Sequence, residues 1–138
     1  MRYLLFTLIA AAAAAQPAPD PFAPLRVLEG RWEGAAAGEP GKRVSTREYN
    51  FDLAGRFLIV RNRSVYEPKS PGAKPEVHED LGIFSYDRDA KKLVLRQFHG
   101  EGFVNEYVMD SIAPDGRSFE FVTIRIENIP AGWRTKQA

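Results

Sequence analysis

The sequence predicts an all-β protein, an antiparallel up-and-down meander curled into a small barrel, and three observations carry that prediction. Residues 76–110 hold three β-rich runs, 77–86, 92–99 and 103–110, parted only by the turn signals Asp-Arg-Asp-Ala (87–90) and Gly-Glu-Gly (100–102). The middle run is apolar on both sides, with Leu93 and Leu95 facing one way and Val94 and Phe98 the other. Such a strand needs cover on both faces, which an open one-sided sheet does not provide. No segment suggests a helix longer than two turns.

Taken in order, residues 1–15 have the layout of a signal peptide. Arg2 gives a positive start, residues 3–10 an apolar centre, and Ala13-Ala14-Ala15 the small residues that a signal peptidase requires. The apolar stretch falls short of the ~20 residues that span a bilayer, so an exported protein without a stable membrane anchor is expected, periplasmic or extracellular. Residues 16–24 form a Pro-rich leader, and 25–138 the β-barrel domain. Pro24 to Glu29 can form one or two helical turns that stop at Gly30. A first strand opens at Gly30, a second covers 43–51 and a third 56–66, with a hairpin turn at Asp52-Leu53-Ala54-Gly55. In the second strand Arg47, Tyr49 and Phe51 share a face. Residues 67–74 are the one long loop. After the meander, Ala113-Pro114-Asp115-Gly116 turns the chain into a seventh strand at 118–126, leaving room for only a stub of an eighth.

The totals narrow the function. A chain of 138 residues is long enough for one domain with a real core. Cysteine is absent, which removes a thiolate nucleophile and any sulfur-bound zinc. There are 19 basic residues against 18 acidic ones, 18 against 18 once Arg2 is removed, and no basic block suggests nucleic acid. Gly-x-Ser-x-Gly and a phosphate-binding glycine loop are both missing.

Gly30-x-Trp32 after a short helical turn, the run Leu28-Glu-Gly-Arg-Trp-Glu-Gly, then Gly-Glu-Pro, Gly55-Arg-Phe-Leu and His78-Glu-Asp-x-Gly-x-Phe-Ser-Tyr-Asp together carry a resemblance. They resemble a family of uncharacterised bacterial nitrobindin-like or lipocalin-like calycin barrels, over nearly all of residues 25–133. The resemblance implies an eight-or-more-stranded barrel with a ligand-holding interior, closed at one end by Trp32. Two departures stand out. The chain stops where two or three further strands would follow, as if truncated at the C-terminus, which would leave an edge strand open to dimerisation. It also has no histidine after His99, whereas nitrobindins ligate haem near the C-terminal end.

Two constellations bear chemistry. If residues 87–90 form the loop, Tyr86 pairs with Lys91 and His78 lies opposite His99, with Glu79, Asp80 and Glu101 near. That pair could hold a divalent metal, assist haem chemistry or act as general acid and base, or could be polar residues at a wet rim. Separately, Arg61, Arg63 and Arg96, with Tyr49 and Tyr107, could line the interior as a ligand-binding set. The guanidinium groups would hold the head of a small amphiphilic anion while Phe51, Phe57 and Ile59 hold its tail. The competing arrangement pairs those arginines with Glu48, Asp52, Asp80 or Glu106 across strands. Trp32, Phe84, Phe98, Phe103, Phe119 and Phe121 are expected in the core. A ligand-binding protein with no obligatory cofactor is therefore expected, with a metal- or haem-assisted enzyme as the alternative.

Overall fold

The computed structural model describes residues 19–37 and 41–129. The chain is all-β, as expected. A 3₁₀ helix η1 (Ala23–Leu28) precedes seven strands: β1 (Gly30–Ala36), β2 (Arg43–Asp52), β3 (Phe57–Tyr66), β4 (Glu76–Asp87), β5 (Lys92–His99), β6 (Val104–Ile112) and β7 (Phe119–Glu127). They form one antiparallel up-and-down sheet in sequence order. The predicted signal peptide, and the residues after Ile129, lie outside the described residues.

Sequence and structure agree on every strand because the turns are chemically marked. Asp20 accepts the Phe22 N–H at 3.0 Å, starting η1. Gly30, at φ 116°, turns the chain from the helix into β1. Gly116 takes φ 67° and donates to the Ala113 carbonyl at 2.8 Å, closing the β6–β7 turn. Leu53 and Ala54 sit at φ 48° and 58° in the β2–β3 hairpin, a left-handed pair that non-glycine residues adopt only at a cost.

Strand alternation sorts the sheet into two faces. The inner face carries Tyr49 and Phe51, Leu58 and Val60, Phe84 and Tyr86, and Leu93 and Leu95, aligned strand to strand by the register. Phe22 and Leu25 of the helical segment pack onto this face and complete the core, with Leu25 and Leu58 fully buried. Met109, Phe119 and Phe121 join it from β6 and β7, so the sheet curls round the helix.

The curl does not close. Among the described residues β1 pairs only with β2 and β7 only with β6, so the expected barrel, for which an open edge strand is also anticipated, is an open curled sheet with two free edges. Trp32 shows the consequence. It points to the inner face from an edge strand with no neighbour beyond it, and stays 49% exposed, not in the core. Its indole N–H donates to the Leu28 carbonyl at 2.6 Å, tying β1 to η1.

Candidate functional site

Between η1 and the inner face lies a hollow of about 300 Å³. Its walls are Leu25 and Leu28 from the helix, Tyr49, Val60, Phe84 and Leu95 from the central strands, and Phe119 and Phe121 from β7. Gly82 lets the wall residues Val60 and Leu95 pack against the backbone of β4. A Cβ there would stand 2.5 Å from Val60 Cγ1 and 3.1 Å from Leu95 Cδ1.

One end of the hollow is polar. The register sets Arg47 opposite Asn62, Asn62 opposite Asp80, and Gln97 opposite Gly82 beside them. Arg47 Nε donates to Asn62 Oδ1 at 3.3 Å, Asn62 Nδ2 to Asp80 Oδ2 at 2.7 Å, and Gln97 Nε2 to Asp80 Oδ1 at 2.9 Å. Both Asp80 oxygens are thus engaged by amides, and Arg47 has no carboxylate within 4 Å among the described residues. Each strand spends an inward position on a polar side chain that an apolar one could have filled. The four satisfy one another, and Arg47, which is exposed, has donors left over for a ligand.

Further along the same face, Asn105 Nδ2 donates to the Tyr107 hydroxyl at 2.7 Å and approaches His99 Nε2 at 3.3 Å. Asn105 Oδ1 is buried without a partner, and His99 stacks on Phe103 with centroids 4.0 Å apart. Burial pushes the His99 pKa down, although Asp80 and Glu101 oppose it.

The two histidines expected face to face are two residues out of register. Asp80 stands opposite His99, and His78 faces Ser64. The loop is four residues long but runs from 88 to 91. Asp87 belongs to the strand and its carboxylate accepts the Asp89 and Ala90 N–H groups, both at 2.9 Å, while Lys91 turns left-handed at φ 53°. His78 instead bridges two acids, Nδ1 to Glu101 at 2.6 Å and Nε2 to Glu76 at 2.7 Å. A neutral imidazole donates from one nitrogen only, so two carboxylate partners call for the imidazolium. Hydrogen bonds donated to Glu76 and then to Glu101 accordingly push the His78 pKa up. Among the described residues no three His, Asp or Glu side chains converge on one point as metal ligands would.

The expected arginine and tyrosine set is also divided. Tyr49 and Tyr107 lie on the inner face, Tyr49 on the hollow's wall. Arg61, Arg63 and Arg96 project from the outer face, because their positions alternate with Val60, Asn62 and Leu95. Arg63 pairs with Glu79 at 3.2 Å. Arg96 Nη2 holds Glu127 at 2.9 Å, and its Nε lies 3.5 Å from Glu106 without the alignment of a hydrogen bond. The cation that does reach the hollow is Arg47, and its signal was the clean alternation with Tyr49 and Phe51.

A larger apolar groove, about 550 Å³, lies against Ala35, Val44, Val65, Pro68 and Pro75. It is shallower than the hollow and lacks a hydrogen-bonded polar end. No protein-family model matches the chain, and comparisons with curated proteins and with solved structures likewise give no match. No helix among the described residues is long and apolar enough to cross a membrane.

Proposed function

We propose that this chain is an exported binding protein of calycin-like build that holds one small, partly apolar anion in the hollow under η1. The observation that carries the proposal is the union, in one half-open hollow, of apolar walls with a ladder of four hydrogen-bonded polar side chains led by Arg47. An apolar body would lie against Phe84, Leu95, Phe119 and Phe121. Its anionic end would meet the Arg47 guanidinium, whose fork suits a carboxylate. The signal-peptide pattern of residues 1–15 supports export. The β7 edge, unpaired among the described residues and with Val122 and Ile124 exposed, supports pairing of two copies through an edge strand.

The alternative, a metal- or haem-assisted enzyme working through His78 and His99, gains little support. The two are out of register, and both His78 ring nitrogens are engaged by carboxylates.

A fluorescent fatty-acid probe tests the proposal. It should bind, be displaced by unlabelled fatty acid, and bind roughly tenfold more weakly to Arg47→Ala, the cost of one charged hydrogen bond. Arg117→Ala, in the β6–β7 turn and away from the walls of the hollow, should leave it unchanged. Absence of binding, or equal weakening by both substitutions, would refute the assignment.

A further inference from the structure

We infer that the outer face carries a second binding site, a basic groove at Arg31, Arg61 and Arg63 that takes an oxyanion borne on an apolar ring. The inference does not depend on a ligand in the hollow, although Arg47, Asn62 and Asp80 line both spaces. The groove encloses about 470 Å³ and is lined by those three arginines together with Glu48, Leu81 and Phe98, among others.

Its charges are poorly matched. Arg31 and Arg61 stand directly opposite Glu48 from either side. Cross-strand neighbours of that kind have Cβ atoms about 5 Å apart, close enough for a salt bridge. Yet neither guanidinium comes within 4 Å of a carboxylate among the described residues, while Glu48 Oε1 accepts the Asn50 amide at 3.1 Å. Arg63 has one acid, Glu79, at 3.2 Å, and both partners are more than half exposed. Three cationic forks thus share one short ion pair. A tetrahedral oxyanion can engage two such forks at once, each through paired N–H donors. Leu81 and Phe98 are register partners beside them and are half-buried, offering an apolar floor to a ring carried by that anion. The chemical class is therefore a phosphate or sulfate ester of a ring.

The test is an amide NMR titration of the full chain with phenyl phosphate, inorganic phosphate and benzyl alcohol. Phenyl phosphate should shift amides at Arg61, Arg63, Leu81 and Phe98, inorganic phosphate should shift the arginine amides with lower affinity, and benzyl alcohol should leave them in place. Arg61→Gln should weaken phenyl phosphate roughly tenfold. Glu48→Gln should tighten it, because the acid between the two arginines is gone. A set of arginines that is merely solvated predicts no such tightening. Shifts confined to Tyr49, Phe84 and Gln97 would place the anion in the hollow and overturn the second site. Shifts unaffected by Arg61→Gln, or absent altogether, would overturn it as well. The substituted side chains are exposed, and dispersed spectra of each variant verify that it is folded.

Discussion

Phe84 on β4 and Phe121 on β7 meet edge to face, with centroids 5.7 Å apart and rings at 71°. Three strand spacings separate them, about 14 Å in a flat sheet. Side chains of this size close that distance only if the sheet curls, so the contact is a direct gauge of the curvature that makes the hollow. Such pairs add about 0.5–1.5 kcal/mol beyond their buried area. A double-mutant cycle of Phe84→Leu and Phe121→Leu, followed by urea unfolding, should return a coupling energy in that range. Strict additivity would mean that β7 does not fold back over β4.

Gly82 should tolerate no side chain. Its Cβ would press on Val60 Cγ1, so Gly82→Ala should cost about 1–3 kcal/mol, the usual penalty for overpacking. Unfolding in denaturant measures it. The same substitution should reduce probe binding, because it intrudes between two wall residues.

The two histidines should titrate on opposite sides of the ordinary value near 6.5. His78 is raised by Glu76 and Glu101. Its contribution to stability is present below pH 6.5 and is lost as pH rises through its higher folded pKa. The cluster is exposed, so that contribution should stay within about 1 kcal/mol. His99 is lowered by burial, and stability should fall as pH drops below 6.5, where the unfolded chain takes up the proton first. Ring NMR shifts followed through a pH titration should show His78 with the higher midpoint. Glu101→Gln should bring the His78 midpoint down and so confirm the pairing.

Much of the fold was legible because its turns are spelled out by Gly, Pro and Asp. Gly102, Gly116 and the Asp52–Gly55 run end strands where the sequence says they end. Register was harder. Whether Asp87 closes β4 or opens the loop depends on where its carboxylate bonds, and that choice moved every β4–β5 pair by two residues. Facing was legible within a strand but not between strands: Arg47, Tyr49 and Phe51 grouped correctly, whereas Arg61 and Arg63 joined Tyr49 only under a pairing that alternation forbids. Closure was the least legible feature. It depends on whether β1 and β7 meet, and no local pattern encodes the distance between chain ends.

Native mass spectrometry of the purified chain tests the central claim most directly, by weighing the protein with whatever occupies its hollow. One small amphiphile per chain is predicted, exchangeable for an added fatty acid and held less tightly by the Arg47→Ala variant. A bare mass throughout, even with amphiphile in excess, would contradict it.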